Sequence, residues 1–217
     1  MHIPPTNAAD TPVALRRTLI VAGLSAAALA QAGCFAVAAT GIAVGAFAVS
    51  DRRTIGTQTE DQGIEVKAMQ HLSQLSGRIS VTSFNRKVLL TGQVPDEATR
   101  REAGAIVGRI DQVRTVHNEL LVGGAASMST QATDTSLTAQ VKTGLLDAAD
   151  LQANTIKVVT EAGIVYLMGI VTRNEGQRAA QVASRVSGVK RVVTVFEYVT
   201  PDELARIERQ IKEGESK

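Results

Sequence analysis

One cysteine, Cys34, stands among 217 residues, and there is no tryptophan. A lone thiol excludes an intramolecular disulfide framework and a cysteine-based zinc cluster. With two tyrosines and four phenylalanines, the chain lacks the aromatic platforms on which nucleic-acid bases stack. Charge of one sign is missing too: 23 Lys and Arg against 21 Asp and Glu leave a net charge of +2, so no global field draws the protein to a polyanion. Nucleic acid is not an expected partner. Catalytic groups are sparse. His2 sits at the extreme N-terminus, His71 in a helical pattern and His117 in a strand-like one, and no nucleophile, base and orienting group stand together. The glycines of "GQVPDEATRRE" and "GIVTRNEGQRA" end strands, with Asp96 or Asn174 as a cap for the helix that follows. These absences predict a protein that is not an enzyme and holds no metal or cofactor.

What is present begins with an apolar N-terminus. Arg16 and Arg17 precede "LIVAGLSAAALA" (Leu19 to Ala30), which has the length and composition of the hydrophobic core of an export signal. Three fates for the following region are open. "AQA" (Ala30 to Ala32) is an acceptable ordinary cleavage site, releasing a protein that starts at Gly33. The run from Leu19 to Val49 would extend roughly 46 Å as a helix, enough to cross a bilayer core of roughly 30 Å. Alternatively, "AQAGC" resembles a bacterial lipobox, with Gln31 where leucine is usual, making residues 1–33 a signal peptide and Cys34 a lipidated N-terminus. The sole cysteine directly after the signal core favours this third fate. Phe35, not aspartate, follows it, which in similar lipoproteins is compatible with passage to the outer membrane.

After a segment read as a linker (Ser50 to Gly63), the same order of elements runs twice. "IEVKAMQHLSQL" places Ile64, Ala68, Met69, Leu72 and Leu75 on one helical face, and "LTAQVKTGLL" places Leu137, Val141 and Leu145 likewise. Strand pairs follow: "RISVTSF" with "KVLLTGQV", and "TIKVVTEAGIVYLMGIV" folded at "EAG". A second helix repeats Ala103, Ile106, Val107 and Ile110 as Ala179, Val182, Ala183 and Val186, with Arg109 and Arg185 in step, before the last strands "QVRTVHNELLV" and "GVKRVVTVFEYV". The order αββαβ predicts, in each copy, a three-stranded sheet covered on one face by two helices, its last strand parallel to the second. The segment from Gly123 reads as a linker to about residue 134, and "DELARIERQIKEGESK" as a charged, solvated tail.

These residues resemble the BON domain family, with "VLLTGQV", "VYLMGIVT" and "ASRVSGVKRVVTVF" carrying the likeness. The predicted architecture is therefore α+β: two tandem αββαβ BON domains, at 61–122 and 135–200, behind a lipoprotein signal, with residues 34–60 and 123–134 as connections and 201–217 as tail. Copy one is about four residues shorter between its first helix and first strand. The resemblance to dual-BON lipoproteins implies a periplasm-facing, palmitate-bearing lipoprotein of the outer membrane. Such a protein binds anionic phospholipid of the inner leaflet through the first helix of its second domain and supports envelope integrity. The matching positions are Ser136, Val141 and Leu146, with Ser136 where the family's dual-domain members carry tryptophan. From the residues themselves, Lys142 beside Leu145 and Leu146 gives the basic and apolar pairing that a peripheral lipid contact needs. Arg173, Arg178, Arg185, Lys190 and Arg191 form a candidate basic patch. The alternative is an adaptor that docks envelope proteins, with lipid contact incidental.

Overall fold

A computed structural model describes residues 51–124 and 126–215; Cys34, the signal and the apolar run lie outside the described residues. The first copy comprises α1 (Ile55–Leu72), β1 (Arg78–Phe84), β2 (Lys87–Val94), α2 (Glu97–Val107), β3 (Thr115–Asn118) and β4 (Leu121–Val122). The second comprises α3 (Met128–Asp147), β5 (Lys157–Glu161), β6 (Ile164–Val171), α4 (Arg173–Ser184) and β7 (Arg191–Tyr198), followed by α5 (Pro201–Glu215). The α+β reading and the αββαβ order hold in both copies. β1 pairs antiparallel with β2, and β3 and β4 run parallel to it. β5 pairs antiparallel with β6, and β7 runs parallel to β6 from Ile164↔Arg191 to Val171↔Tyr198. The last strand of copy one is interrupted between β3 and β4, where Leu120 turns inward and is 2% exposed.

Both first helices start well before the periodic apolar residues that mark them in the sequence. Thr54 caps α1 by accepting from Thr57 N, and Ser127 caps α3 by accepting from Thr130 N. The stretches read as linkers, Ser50–Gly63 and Gly123–Thr135, therefore contain the first turns of helices. Their Thr and Ser content hides this, because such side chains compete for backbone groups and weaken helix propensity. Here the hydroxyls of Thr59, Thr133, Thr135 and Thr138 are absorbed by the carbonyl four residues back.

One buried carboxylate in each early turn explains why helix wins. Asp61 accepts from the backbone N–H of Asn85 and Arg86, both at 2.7 Å, and from Ser83 Oγ at 2.6 Å. Asp134 accepts from Ala162 N and Gly163 N, both at 2.8 Å. These donors belong to two-residue hairpin turns whose central residues all have positive φ: Asn85 at 52°, Arg86 at 65°, Ala162 at 53° and Gly163 at 79°. Each aspartate thus ties its helix to the hairpin that the helix covers. Below it, Ile64, Ala68 and Leu72 in α1 and Leu137, Val141 and Leu145 in α3 fill the core. Met69, expected on that inner face, is 53% exposed, because it lies outside the stripe that Asp61 orients.

β2 and β6 are buried on both faces. Val88, Leu90 and Val94 meet the helices of copy one, and Val165, Leu167 and Val171 those of copy two. The alternate residues, Leu89 on one side and Tyr166, Met168 and Ile170 on the other, join Phe84 and Val195 in a third cluster. The helix-free faces of the two sheets therefore pack on each other, with the helix layers outermost. Buried Glu161 accepts from Gln93 Nε2 at 2.6 Å and pairs with Arg78 across this seam. Burial pushes the Tyr166 phenol up to about 12, with the Glu119 charge a further cause.

The ends of the described chain also join the core. Ile207 of α5 packs on the seam cluster, so the charged tail is a packed helix whose half-buried side has a structural role. Arg52, 4% exposed, donates to the Ile170 carbonyl at 2.9 Å, pairs with Glu175 at 2.7 Å and reaches Glu208 of α5 at 3.3 Å. Arg53 pairs with Asp51 and Asp61 and lies 4.0 Å over the Phe84 ring. The segment entering the first domain is thus bolted to the second.

Candidate functional site

α3 presents two faces set by its 3.6-residue period. The inner one carries Asp134, Leu137, Val141 and Leu145, all buried. On the outer one, Met128, Ala132, Thr135, Ala139, Lys142 and Leu146 form a continuous exposed line, with Met128 80% and Leu146 62% exposed. This separates the predicted lipid-contact residues. Val141 and Leu145, at 0% and 1% exposure, belong to the core, Leu145 reaching the outside only as part of the wall of the cleft beside Lys142. Ser136, Lys142 and Leu146 are exposed, and Ser136 Oγ accepts from Gln140 Nε2 at 3.1 Å. Periodicity pointed to Val141 and Leu145 as core, whereas the family pattern placed Val141, and its position beside Lys142 placed Leu145, at the lipid contact; packing puts both side chains in the core.

The longer connection of copy two shapes the ground beside this line. Nine residues (148–156) link α3 to β5 where five (73–77) link α1 to β1, and the extra length forms a 3₁₀ turn at Ala153–Thr155. The turn and the helix end enclose a cleft of about 230 Å³ lined by Lys142, Leu145, Leu146, Ala153, Asn154 and Ile156. Lys142 forms no ion pair among the described residues. An ammonium group at the rim of an apolar recess, with an exposed leucine alongside, can meet a phosphate while the leucine enters the acyl boundary. Met128 was missed in the sequence because the start of α3 was read as linker.

The candidate basic patch does not assemble. Arg178 pairs with Asp150 at 2.9 Å, and Arg173 lies 5.1 Å from the centre of the Tyr198 ring. Lys190 donates to the Ala162 carbonyl at the hairpin turn, and Arg191 faces Glu119 of the first domain at 3.7 Å. Arg173, Arg185 and Lys190 stay exposed without an ion pair among the described residues, and of these Arg173 is held by its ring contact and Lys190 by its carbonyl. The helix that follows β6 is capped by Thr172, not by Asn174, in a reciprocal capping box with Glu175. Burial and the nearby Lys87 charge hold the His117 imidazole below its ordinary range. Among the described residues no helix is long and apolar enough to cross a membrane.

The two αββαβ copies, each with an inner stripe, a hairpin and a crossover helix in register, match the BON domain profile, which covers residues 60–124 and 133–200. The chain belongs to the BON domain family. Among relatives of this BON protein, the "Outer membrane lipoprotein DolP" of Haemophilus influenzae is 38% identical over 172 residues, spanning 77% of this chain and 89% of its own length. The "21 kDa hemolysin" of Actinobacillus pleuropneumoniae is 34% identical over 154 residues, 69% of this chain and 79% of that protein. The "Osmotically-inducible protein Y" of Escherichia coli is 31% identical over 150 residues, 66% of this chain and 75% of its own.

Proposed function

We propose that this BON protein is a non-enzymatic outer-membrane lipoprotein, anchored through Cys34 and facing the periplasm, that holds anionic phospholipid against the outer face of α3 and supports membrane integrity. The observation that carries the reading is the exposed line ending in Lys142 and Leu146 beside their cleft. The relationship to a protein named as an outer-membrane lipoprotein supports the location. Serine at position 136, in place of an interfacial tryptophan, moves the apolar weight of the contact toward Leu146 and Met128.

Co-sedimentation of residues 51–217 with vesicles tests the contact apart from the anchor. Binding is expected with phosphatidylglycerol, to fall with salt, and to weaken by about tenfold in Lys142→Glu/Leu146→Glu, since a basic residue at an anionic surface contributes about 1 kcal/mol and buried apolar surface adds to it. Equal binding to phosphatidylcholine, or capture of a protein partner without vesicle binding, would sink the reading. The intact mass of the membrane-extracted chain beside Cys34→Ala reads the anchor: a lipid increment on Cys34, absent from the variant, is expected.

A further inference from the structure

The seam between the two sheets is held unevenly. Along the edge formed by β1 and β5, buried Glu161 accepts from Gln93 and pairs with Arg78, and Lys157 reaches Glu65 of α1 at 3.3 Å. The opposite edge, where β3, β4 and the start of β2 meet β7, has two looser ion pairs. Lys87 faces Glu197 and Glu119 faces Arg191, each at 3.7 Å, with Asn85 Nδ2 donating to Glu197 at 2.9 Å. A histidine stands between these pairs. His117 lies opposite Leu89 in the parallel register of β2 and β3, so its half-buried side chain takes the seam face that Leu89 takes, while Val116 turns to the helices. Its charged neighbours are Lys87 and Glu119, the members that copy one contributes to the two ion pairs. From copy two, this edge is lined by Arg191 and Glu197 of β7 and by the buried Tyr166 phenol of β6, which lies in the field of both Glu119 and Arg191.

We propose that His117 is an acid-operated release on this edge of the seam: a proton on its imidazole sets a second cation beside Lys87 and draws Glu119 away from Arg191, so both cross-domain pairs weaken and the sheets part along β3, β4 and β7. The edge held by Arg78 and Glu161 has no histidine in its network and acts as the hinge side. Opening uncovers Leu89, Tyr166 and Met168, all at 0% exposure when the seam is closed.

Burial sets the direction of the response. In the closed seam, burial and the Lys87 charge hold the imidazole below its ordinary range. When the edge opens, water returns to the ring and the open form takes a proton more readily than the closed one. The closed seam therefore has its full stability above the ordinary histidine value of about 6.5 and loses it as pH falls from there toward the lower value of the closed form.

Hydroxyl-radical footprinting of the full chain at about pH 7.5 and about pH 5 tests the release. Met168 on the seam is the probe, and Met69, 53% exposed on α1, is the internal reference; trypsin separates them in peptides 158–173 and 68–78. Oxidation of Met168 relative to Met69 is expected to rise at least about threefold in acid while the helical circular dichroism stays unchanged. His117→Gln, which takes no proton, should abolish the rise, and His117→Lys, a fixed cation, should give the acid level of oxidation at both pH values. No rise in the wild type, a rise that survives in His117→Gln, or a rise that accompanies loss of helical signal would overturn the proposal, as would a folded His117→Lys with Met168 protected at both pH values. Should His117→Lys lack the native helical signal, His117→Gln alone decides.

Discussion

The two BON copies share a core and differ in how firmly each hairpin is held. Asp61 and Asp134 occupy the same place, each taking both N–H groups of a positive-φ turn, yet Asp61 also accepts from Ser83 and pairs with Arg53. Copy one needs the extra partners because its turn places Asn85 and Arg86 in the left-handed region, whereas copy two has a glycine at the second of these positions. The more strained hairpin carries the denser network, which suggests that the aspartate compensates for turn chemistry.

The largest effects should come from breaking that network. Removing a buried acceptor leaves its donors without partners at about 1–3 kcal/mol each. Asp61→Ala is therefore expected to destabilise by about 4 kcal/mol or more, and Asp134→Ala by about 2–3 kcal/mol. Denaturant titration of both variants measures the difference. Equal losses would mean that Ser83 and Arg53 add nothing and that the comparison fails.

A second pair separates the sheets. Gly92 and Gly169 hold equivalent positions in β2 and β6, but Gly92 has φ +117° and a β-carbon there would stand 1.9 Å from the Arg78 carbonyl oxygen. At Gly169 the backbone is ordinary and the nearest atom, the Thr155 carbonyl oxygen, is 2.8 Å away. Gly92→Ala should cost about 3 kcal/mol or more through strain and clash, and Gly169→Ala about 1–2 kcal/mol. Thermal denaturation of both variants ranks them, and the reverse order would show that the 3₁₀ turn beneath Gly169 is less able to yield than β1.

Much of this fold was legible because period and repeat agreed. Ile64, Ala68 and Leu72 and their partners Leu137, Val141 and Leu145 announced two covering helices, and alternating β-branched strands announced the hairpins. The early helical turns were not legible. "TIGTQTEDQG" and "SMSTQATDT" have linker composition, and the contacts that make them helical involve Asp61 and Asp134 reaching turns 24 to 29 residues away. The seam was hidden in the same way. β6, apolar throughout, and the run Val88–Leu90 of β2 indicate burial on both faces, but composition alone does not say that the second face meets the other copy. At the candidate site, Lys142 and Leu146 are exposed as a surface contact needs, while Val141, taken from the family pattern, and Leu145, taken as a neighbour of Lys142, are buried, because neither reading asked which side of the helix each one takes.

The smallest expected effect concerns the strap between the domains, which only the second copy anchors. Burial would raise the Glu175 carboxyl, but the hydrogen bonds from Arg52 and the Thr172 N–H outweigh it and hold it below the usual glutamate range. A carboxylate whose folded-state pKa is depressed stabilises the protein above its unfolded value and loses that contribution as pH falls through the folded one. The Arg52 strap should thus be intact at neutral pH and loosen only in acid, below the ordinary glutamate range. Glu175→Gln keeps a residue suited to the capping box but removes the charge, so it should cost about 1 kcal/mol at neutral pH, discounted for partial exposure. Melting temperatures of wild type and variant should converge as pH is lowered from about 7 to about 3. A gap that stays constant would mean that Glu208 and the Ile170 carbonyl hold Arg52 without help from Glu175, and that the link between the entering segment and the second domain does not depend on this titration.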